Sequence, residues 1–111
     1  MARLALEESG LEVIEEDYRC RRGELDIVAR GSDTLIFVEV RSHTVGSFGT
    51  PEESITLKKT ARLRLLADHY RSARAHLDLP EFTRVDVVAV DLDRRGGATD
   101  VRIIESAVED G

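Results

Sequence analysis

The chain has 111 residues, 41% of them apolar, one cysteine and a formal net charge of -6. That length holds one domain, residues 1–111, around a modest single core, and no apolar run approaches the roughly 18 residues of a membrane span. The acidic balance excludes indiscriminate coating of nucleic acid, which rests on neutralising many phosphates, and the lone Cys20 excludes an intramolecular disulfide.

Glu7 and Glu8 follow directly on Ala2 to Leu6, so the opening segment does not read as a secretory leader and a cytoplasmic location is expected. A short helix is predicted over Arg3 to Ser9, closed by Gly10, a residue suited to the left-handed position after a helix. A strand starts at Leu11 and runs into a basic turn, Arg19 to Arg22. These arginines would lower the pKa of Cys20, but no His or second Cys lies nearby in sequence to complete a nucleophilic site, and a plain structural thiol is the alternative.

The second strand, Gly23 to Arg30, and the third, Leu35 to Arg41, are joined by the loop Gly31-Ser32-Asp33-Thr34. Side chains alternate along a strand, so Leu25, Ile27 and Ala29 share one face with Ile36, Val38 and Val40, while Glu24 and Asp26 share the other with Phe37, Glu39 and Arg41. A four-residue loop pairs Arg30 with Leu35. The same register sets Ile27 opposite Val38, Asp26 opposite Glu39 and Glu24 opposite Arg41. A half-exposed hairpin ordinarily carries polar residues on its wet face, with no function attached. Against that stands the repulsion of two opposed carboxylates, which a hard divalent cation such as magnesium relieves, held by the two acids, a backbone carbonyl and waters.

Beyond the third strand, the segment His43 to Thr50 reads as a Gly-containing loop, either an ordinary connection or a cover for a ligand beside Glu39. Thr50, Pro51 and Glu53 have the grammar of a helix start and Thr56 offers a second one. The stripe Leu57, Ala61, Leu65, Leu66 and Tyr70 predicts a helix through about Arg74, packed on the apolar side of the sheet. Basic residues on it include Lys58, Lys59, Arg62, Arg64, Arg71 and Arg74. A strand over Phe82 to Asp91, a turn at Arg94 to Gly97 and a strand over Thr99 to Glu105 complete the pattern, with fraying expected from Ala107. The crossover helix allows the Phe82 strand to lie parallel to the third, giving an α/β fold in which a mixed central sheet is flanked by helices. Asp86 interrupts that central strand and needs a partner such as Arg84 or a helix cap. No spacing among His43, His69 and His76 suits zinc; His43 reads as a solvated loop residue or a proton shuttle beside Arg41. Few aromatics are present, which disfavours single-strand binding through stacking.

Several of these segments together resemble one family. Gly23-Glu24-Leu25-Asp26, Phe37-Val38-Glu39-Val40-Arg41, Phe48-Gly49-Thr50-Pro51, Lys58-Lys59 and Arg84-Val85-Asp86-Val87-Val88 are similar in order and spacing to the YraN-like family of small bacterial proteins. That family is similar in fold to restriction endonucleases and Holliday-junction resolvases, the PD-(D/E)xK superfamily. The resemblance implies a restriction-endonuclease-like fold and a metal site for nucleic-acid chemistry, with Asp26 and Glu39 as ligands. Relatives in that family begin with a longer amino-terminal helix bearing a Gly-Glu pair, whereas this chain opens inside what resembles that helix, so a further acidic site residue is expected to be missing here. The lysine that closes the superfamily motif is Arg41 here, which keeps a fixed charge but cannot serve as a base.

The resulting expectation is a metal-dependent nuclease, or nuclease-like protein, for structured DNA. Asp26, Glu39 and the Val40 carbonyl would hold Mg2+ or Mn2+, and Arg41 would contact the scissile phosphate. Glu24 would bind a second ion or orient the water, and Lys58 would stand in for the missing lysine or remain a solvated surface residue. Arg19, Arg21, Arg22, Lys58 and Arg62 form the expected nucleic-acid surface. The alternative is a catalytically silent module of the same fold that binds nucleic acid or protein, its acids satisfied by a Glu24–Arg41 pair and hydrogen bonds. A free sheet edge also offers a route to a homodimer.

Overall fold

The computed structural model describes residues 1–46 and 57–105, with the backbone alone at residues 57, 58 and 60. The elements run α1 (Ala2–Glu8), β1 (Glu12–Cys20), β2 (Gly23–Arg30), β3 (Thr34–Thr44), α2 (Leu57–Ala73), β4 (Phe82–Leu92) and β5 (Ala98–Ile104). The strands form one sheet in the order β1-β2-β3-β4-β5, with β3 and β4 parallel and every other neighbour antiparallel. This is the expected mixed α/β sheet, compatible with a restriction-endonuclease-like fold. Gly10 takes φ 97° after α1, as its position predicts. The expected helix start at Thr50 to Glu53 and the fraying tail from Ala107 lie outside the described residues.

Both faces of the sheet are apolar and covered. Leu6 of α1 packs with Ile27, Ala29, Ile36, Val38 and Val88, while Leu63, Leu66, Ala67 and Tyr70 of α2 pack on Val28, Leu35, Phe37 and Val85. A parallel pair is normally buried on both faces, because its crossover helix must lie on one of them. The expectation of one greasy and one charged face is therefore corrected: α2 covers the side of Phe37, which the alternation had assigned to charge. The helix stripe is corrected too. Leu63, Leu66, Ala67 and Tyr70 face the sheet, whereas Leu65 and Ala61 are exposed. Each fully buried Leu or Phe contributes roughly 1.5 to 3 kcal/mol, so the tighter stripe decides which side of α2 turns inward.

Polar contacts fix α2 in place. Arg74 donates to both Glu15 oxygens (Nε to Oε1 3.0 Å, Nη2 to Oε2 2.8 Å), and the Tyr70 hydroxyl donates to Oε1 at 3.2 Å. The Arg74 hydrogen bonds hold the Glu15 carboxyl below its ordinary range, while burial and Glu15 push Tyr70 up to about 12. Arg71 grips the turn before β4 through the carbonyls of Pro80 and Phe82. Arg71 and Arg74 are thus committed to the fold. Asp86 is fully buried and receives Arg84 bidentately, Nε to Oδ1 and Nη2 to Oδ2 at 2.9 Å each. That is the expected partner and a structural role.

Strict alternation is interrupted by register shifts between Val13 and Glu15 on β1 and between Asp91 and Leu92 on β4, and it also fails at the place where the site forms. Leu25 packs with Val28 under α2 although Ile27 and Ala29 lie on the α1 side. On β1 the same jump occurs: Glu15 and Tyr18, three residues apart, both face α2. Between them Asp17 has φ 54°, a left-handed conformation uncommon for a residue with a side chain. The pairs Glu16↔Ile27 and Tyr18↔Leu25 flank this step, so β1 and β2 switch faces together at Asp17 and Asp26.

Candidate functional site

Asp26 owes its position to that switch. Sitting between a residue on one face and a residue on the other, it directs its carboxylate along the sheet toward β3. The β2–β3 ladder runs from Arg30↔Leu35 to Ile27↔Val38, in the register read from the sequence. At the next step the Asp26 side chain replaces a backbone rung, with Oδ2 accepting from the Val40 N–H at 2.8 Å. Glu39 immediately precedes Val40 and is 9% exposed. Burial holds its carboxyl above the usual glutamate range; Arg41 opposes that, the Asp26 charge adds to it, and Arg62 and Lys59 pull it back. The two acids feel each other, with cations from β3 and α2 around them.

The cations do not pair as alternation suggests. Arg41 Nη2 lies 2.7 Å from Glu39 Oε1, two residues away on its own strand, and Glu24 meets Arg19 Nε at 3.4 Å. The expected Glu24–Arg41 pair is absent because the ladder opens beyond Ile27↔Val38, while Arg19↔Glu24 keeps Glu24 beside β1. A cleft of about 520 Å³ is lined by Arg19, Cys20, Gly23, Glu24, Asp26, Glu39 and Arg62. Gly23 lies in its wall at φ 139°, a backbone conformation that favours glycine, while a Cβ there would meet Leu66 Cδ1 at 3.6 Å and Arg62 Cδ at 3.9 Å, ordinary contact distances. Asp26 also borders a hollow of about 360 Å³ on the α1 side, with Met1, Arg3, Glu16, Asp17 and Val40.

Among the described residues, no group of three or more His, Cys, Asp or Glu converges at metal-binding range. The donor set is therefore a pair of carboxylates, with Glu24 in the same cleft but outside any triad. Two carboxylates with water fit magnesium or manganese and do not fit structural zinc. The raised Glu39 carboxyl is in keeping with a cation, since burial and Asp26 disfavour its charge and a cation would relieve both.

The profile of Uncharacterised protein family UPF0102 matches residues 1–90. The chain belongs to this family. It is 42% identical to a UPF0102 protein of Moorella thermoacetica over 92% of this chain and 83% of the relative. It is 48% identical to one of Beutenbergia cavernae over 84% of this chain and 77% of the relative. With one of Roseiflexus castenholzii the identity is 43% over 99% of this chain and 88% of the relative. UPF0102 is the YraN family that the motifs resemble.

In this UPF0102 chain the structure brings Glu24, Asp26, Glu39, Arg19 and Arg62 to one cleft, with Arg41 on Glu39. Arg21 and Arg22 are exposed at the neighbouring hairpin tip, and the Lys58 side chain lies outside the described residues. The sequence reading set Lys59 among the basic residues of the helix and gave the site role to Lys58, whereas Lys59 is close enough to act on the Glu39 carboxyl. The signal was present, since Lys59 and Arg62 precede Leu63 and Leu66 at helical spacing on the face of α2 that meets the sheet. Cys20 is partly buried against the α2 core and also lines the cleft. His43 lies on β3, not in a loop, because the strand continues to Thr44 alongside β4 up to Leu92. No described helix is long and apolar enough to cross a membrane.

Proposed function

We propose that this UPF0102 protein is a metal-dependent nuclease acting on structured DNA, with Asp26 and Glu39 as the carboxylates that hold Mg2+ or Mn2+. The observation that carries this reading is their convergence at the open end of the β2–β3 ladder, where Asp26 is fixed by the Val40 N–H and Glu39 is buried beside it. The N–H and C=O of one strand residue leave by the same edge, so Val40 offers its carbonyl on the side of Asp26. Asp26, Glu39 and the Val40 carbonyl would hold a divalent ion there, which would supply acidification of a bound water and charge neutralisation at a phosphate. Arg41 binds the scissile phosphate without taking a proton, Glu24 orients water from the cleft wall, and Lys58, with Lys59 one residue on, supplies cationic charge from α2. Arg19, Arg21, Arg22 and Arg62 track the backbone.

The test is cleavage of branched and flap DNA with Mg2+ or Mn2+, comparing wild type with Asp26→Ala and Glu39→Ala. Both variants are expected to lose at least about 100-fold, as removal of several kcal/mol of charge stabilisation implies. Equal activity in all three would end the proposal. One observation favours a second reading, a silent DNA-binding module: Arg41 already neutralises Glu39 at 2.7 Å. Mn2+ separates the two. Thermal stabilisation that disappears in Asp26→Asn supports the metal site, and its absence supports the module.

A further inference from the structure

The sheet ends in two edges of different kinds. β1 carries a register shift between Val13 and Glu15 and the left-handed Asp17, and irregularities of this sort turn an edge away from an added strand. β5 closes the other side. Thr99 is the extra residue where its register shifts, and from Asp100 to Ile104 the pairing with β4 is regular. Among the described residues no strand lies beyond β5, so its outer row of N–H and C=O groups has no strand to pair with there.

The two faces of this edge differ in chemistry. Val101 and Ile103 are half-buried on the α1 side, opposite Val90 and Val88 of β4. Asp100 and Arg102 therefore lie on the α2 side, both exposed. There Asp100 stands directly opposite Asp91, and like charges so placed destabilise a sheet. Arg102 reaches both acids at long range, Nη2 to Asp91 Oδ1 at 3.5 Å and Nε to Asp100 Oδ2 at 3.9 Å. A second cation beside Asp100 would relieve the pair.

A second copy of the same edge carries one. Two copies joined antiparallel about a two-fold axis perpendicular to the sheet keep their α1 sides together, so the faces match only when some residue meets its own counterpart. Centring on Asp100 opposes two aspartates, centring on Arg102 opposes two arginines, and centring on Ile103 sets Arg102 against Ile104. Centring on Val101 places Asp100 opposite the partner's Arg102, twice by symmetry, and Val101 against its counterpart on the apolar side. From this self-complementary pattern we infer that β5 is a dimerisation edge, at which two copies of this chain pair about Val101 and join two five-stranded sheets into one. The inference is independent of the nuclease reading.

The test uses the full chain in solution at low salt. Sedimentation equilibrium is expected to show monomer and dimer in exchange, in a series taken to about 1 mM because a pairing this short belongs with the small, weak interfaces. A monomer at every concentration overturns the inference. Asp100→Arg and Arg102→Asp should each raise the dissociation constant at least about tenfold, since each turns two opposite-charge pairs into like-charge pairs. The double variant exchanges the charges and should return to within about threefold of wild type. Single variants that associate as wild type does, or a double variant that fails to recover, overturn this register. Amide hydrogen exchange on the wild-type chain gives a readout that needs no substitution. Protection of Asp100 to Ile104 should grow with protein concentration while that of β1 stays constant. Growth on β1 alone would place the contact at the opposite edge and overturn the inference.

Discussion

The two ends of the β2–β3 hairpin obey different rules. From Arg30↔Leu35 to Ile27↔Val38 the backbone ladder is regular, and the side chains between α1 and α2 are apolar on both faces. One step further the ladder stops, a carboxylate takes the place of a rung, and a second acid lies buried beside it with Arg41 as its cation. The closed end is chosen for burial and the open end for charge. The same two strands thus supply both the stability that holds the site and the irregularity that makes it.

Substitutions should separate the two ends. Phe37→Ala at the closed end is expected to cost about 3 to 5 kcal/mol in urea unfolding, for it is fully buried against Tyr70. Asp26→Ala at the open end should cost about 1 kcal/mol by the same measurement, the value of one hydrogen bond to Val40 N–H. Comparable losses from both would erase the distinction. The pH dependence sharpens it. Tyr70 is raised from about 10 in the unfolded chain to about 12, so its contribution is fully present below pH 10 and is lost as pH rises from about 10 to about 12. Tyr70→Phe should show no such loss over that window in alkaline melts. Glu39 is likewise raised, so it favours folding while protonated, and that contribution fades as pH climbs from the ordinary glutamate range through the folded value. Glu39→Gln should flatten this part of the stability curve, the smallest of the effects; an unchanged slope would mean that the open end carries no electrostatic cost.

Much of this was legible in the chain. The hairpin register followed from loop length and from the need to bury Ile27 with Val38, and the parallel β3–β4 pairing from an intervening helix. Asp86 announced its need for Arg84 by interrupting an apolar strand. Alternation did not reveal the face switch at Asp17 and Asp26, because a backbone step leaves no mark in the spacing of apolar residues when both faces are apolar. For the same reason Leu25 was placed with Ile27. The stripe on α2 was ambiguous because adjacent Leu65 and Leu66 satisfy two helical faces, and only the fit on Phe37 selects Leu66. Glu24–Arg41 failed because it extrapolated a straight ladder past the point where the strands part. Asp26 and Glu39 were singled out by their residue types, and their meeting beside Val40 required the fold.

Asp26 borders both hollows, one on each side of the sheet. Asp26 is the one residue common to the two linings, so a change of charge in either hollow acts on the same carboxylate. A bulky or charged side chain engineered near Met1 or Arg3 would retune the acid on the far side without touching it, so redesign of the amino-terminal helix is also redesign of the electric field in the opposite cleft.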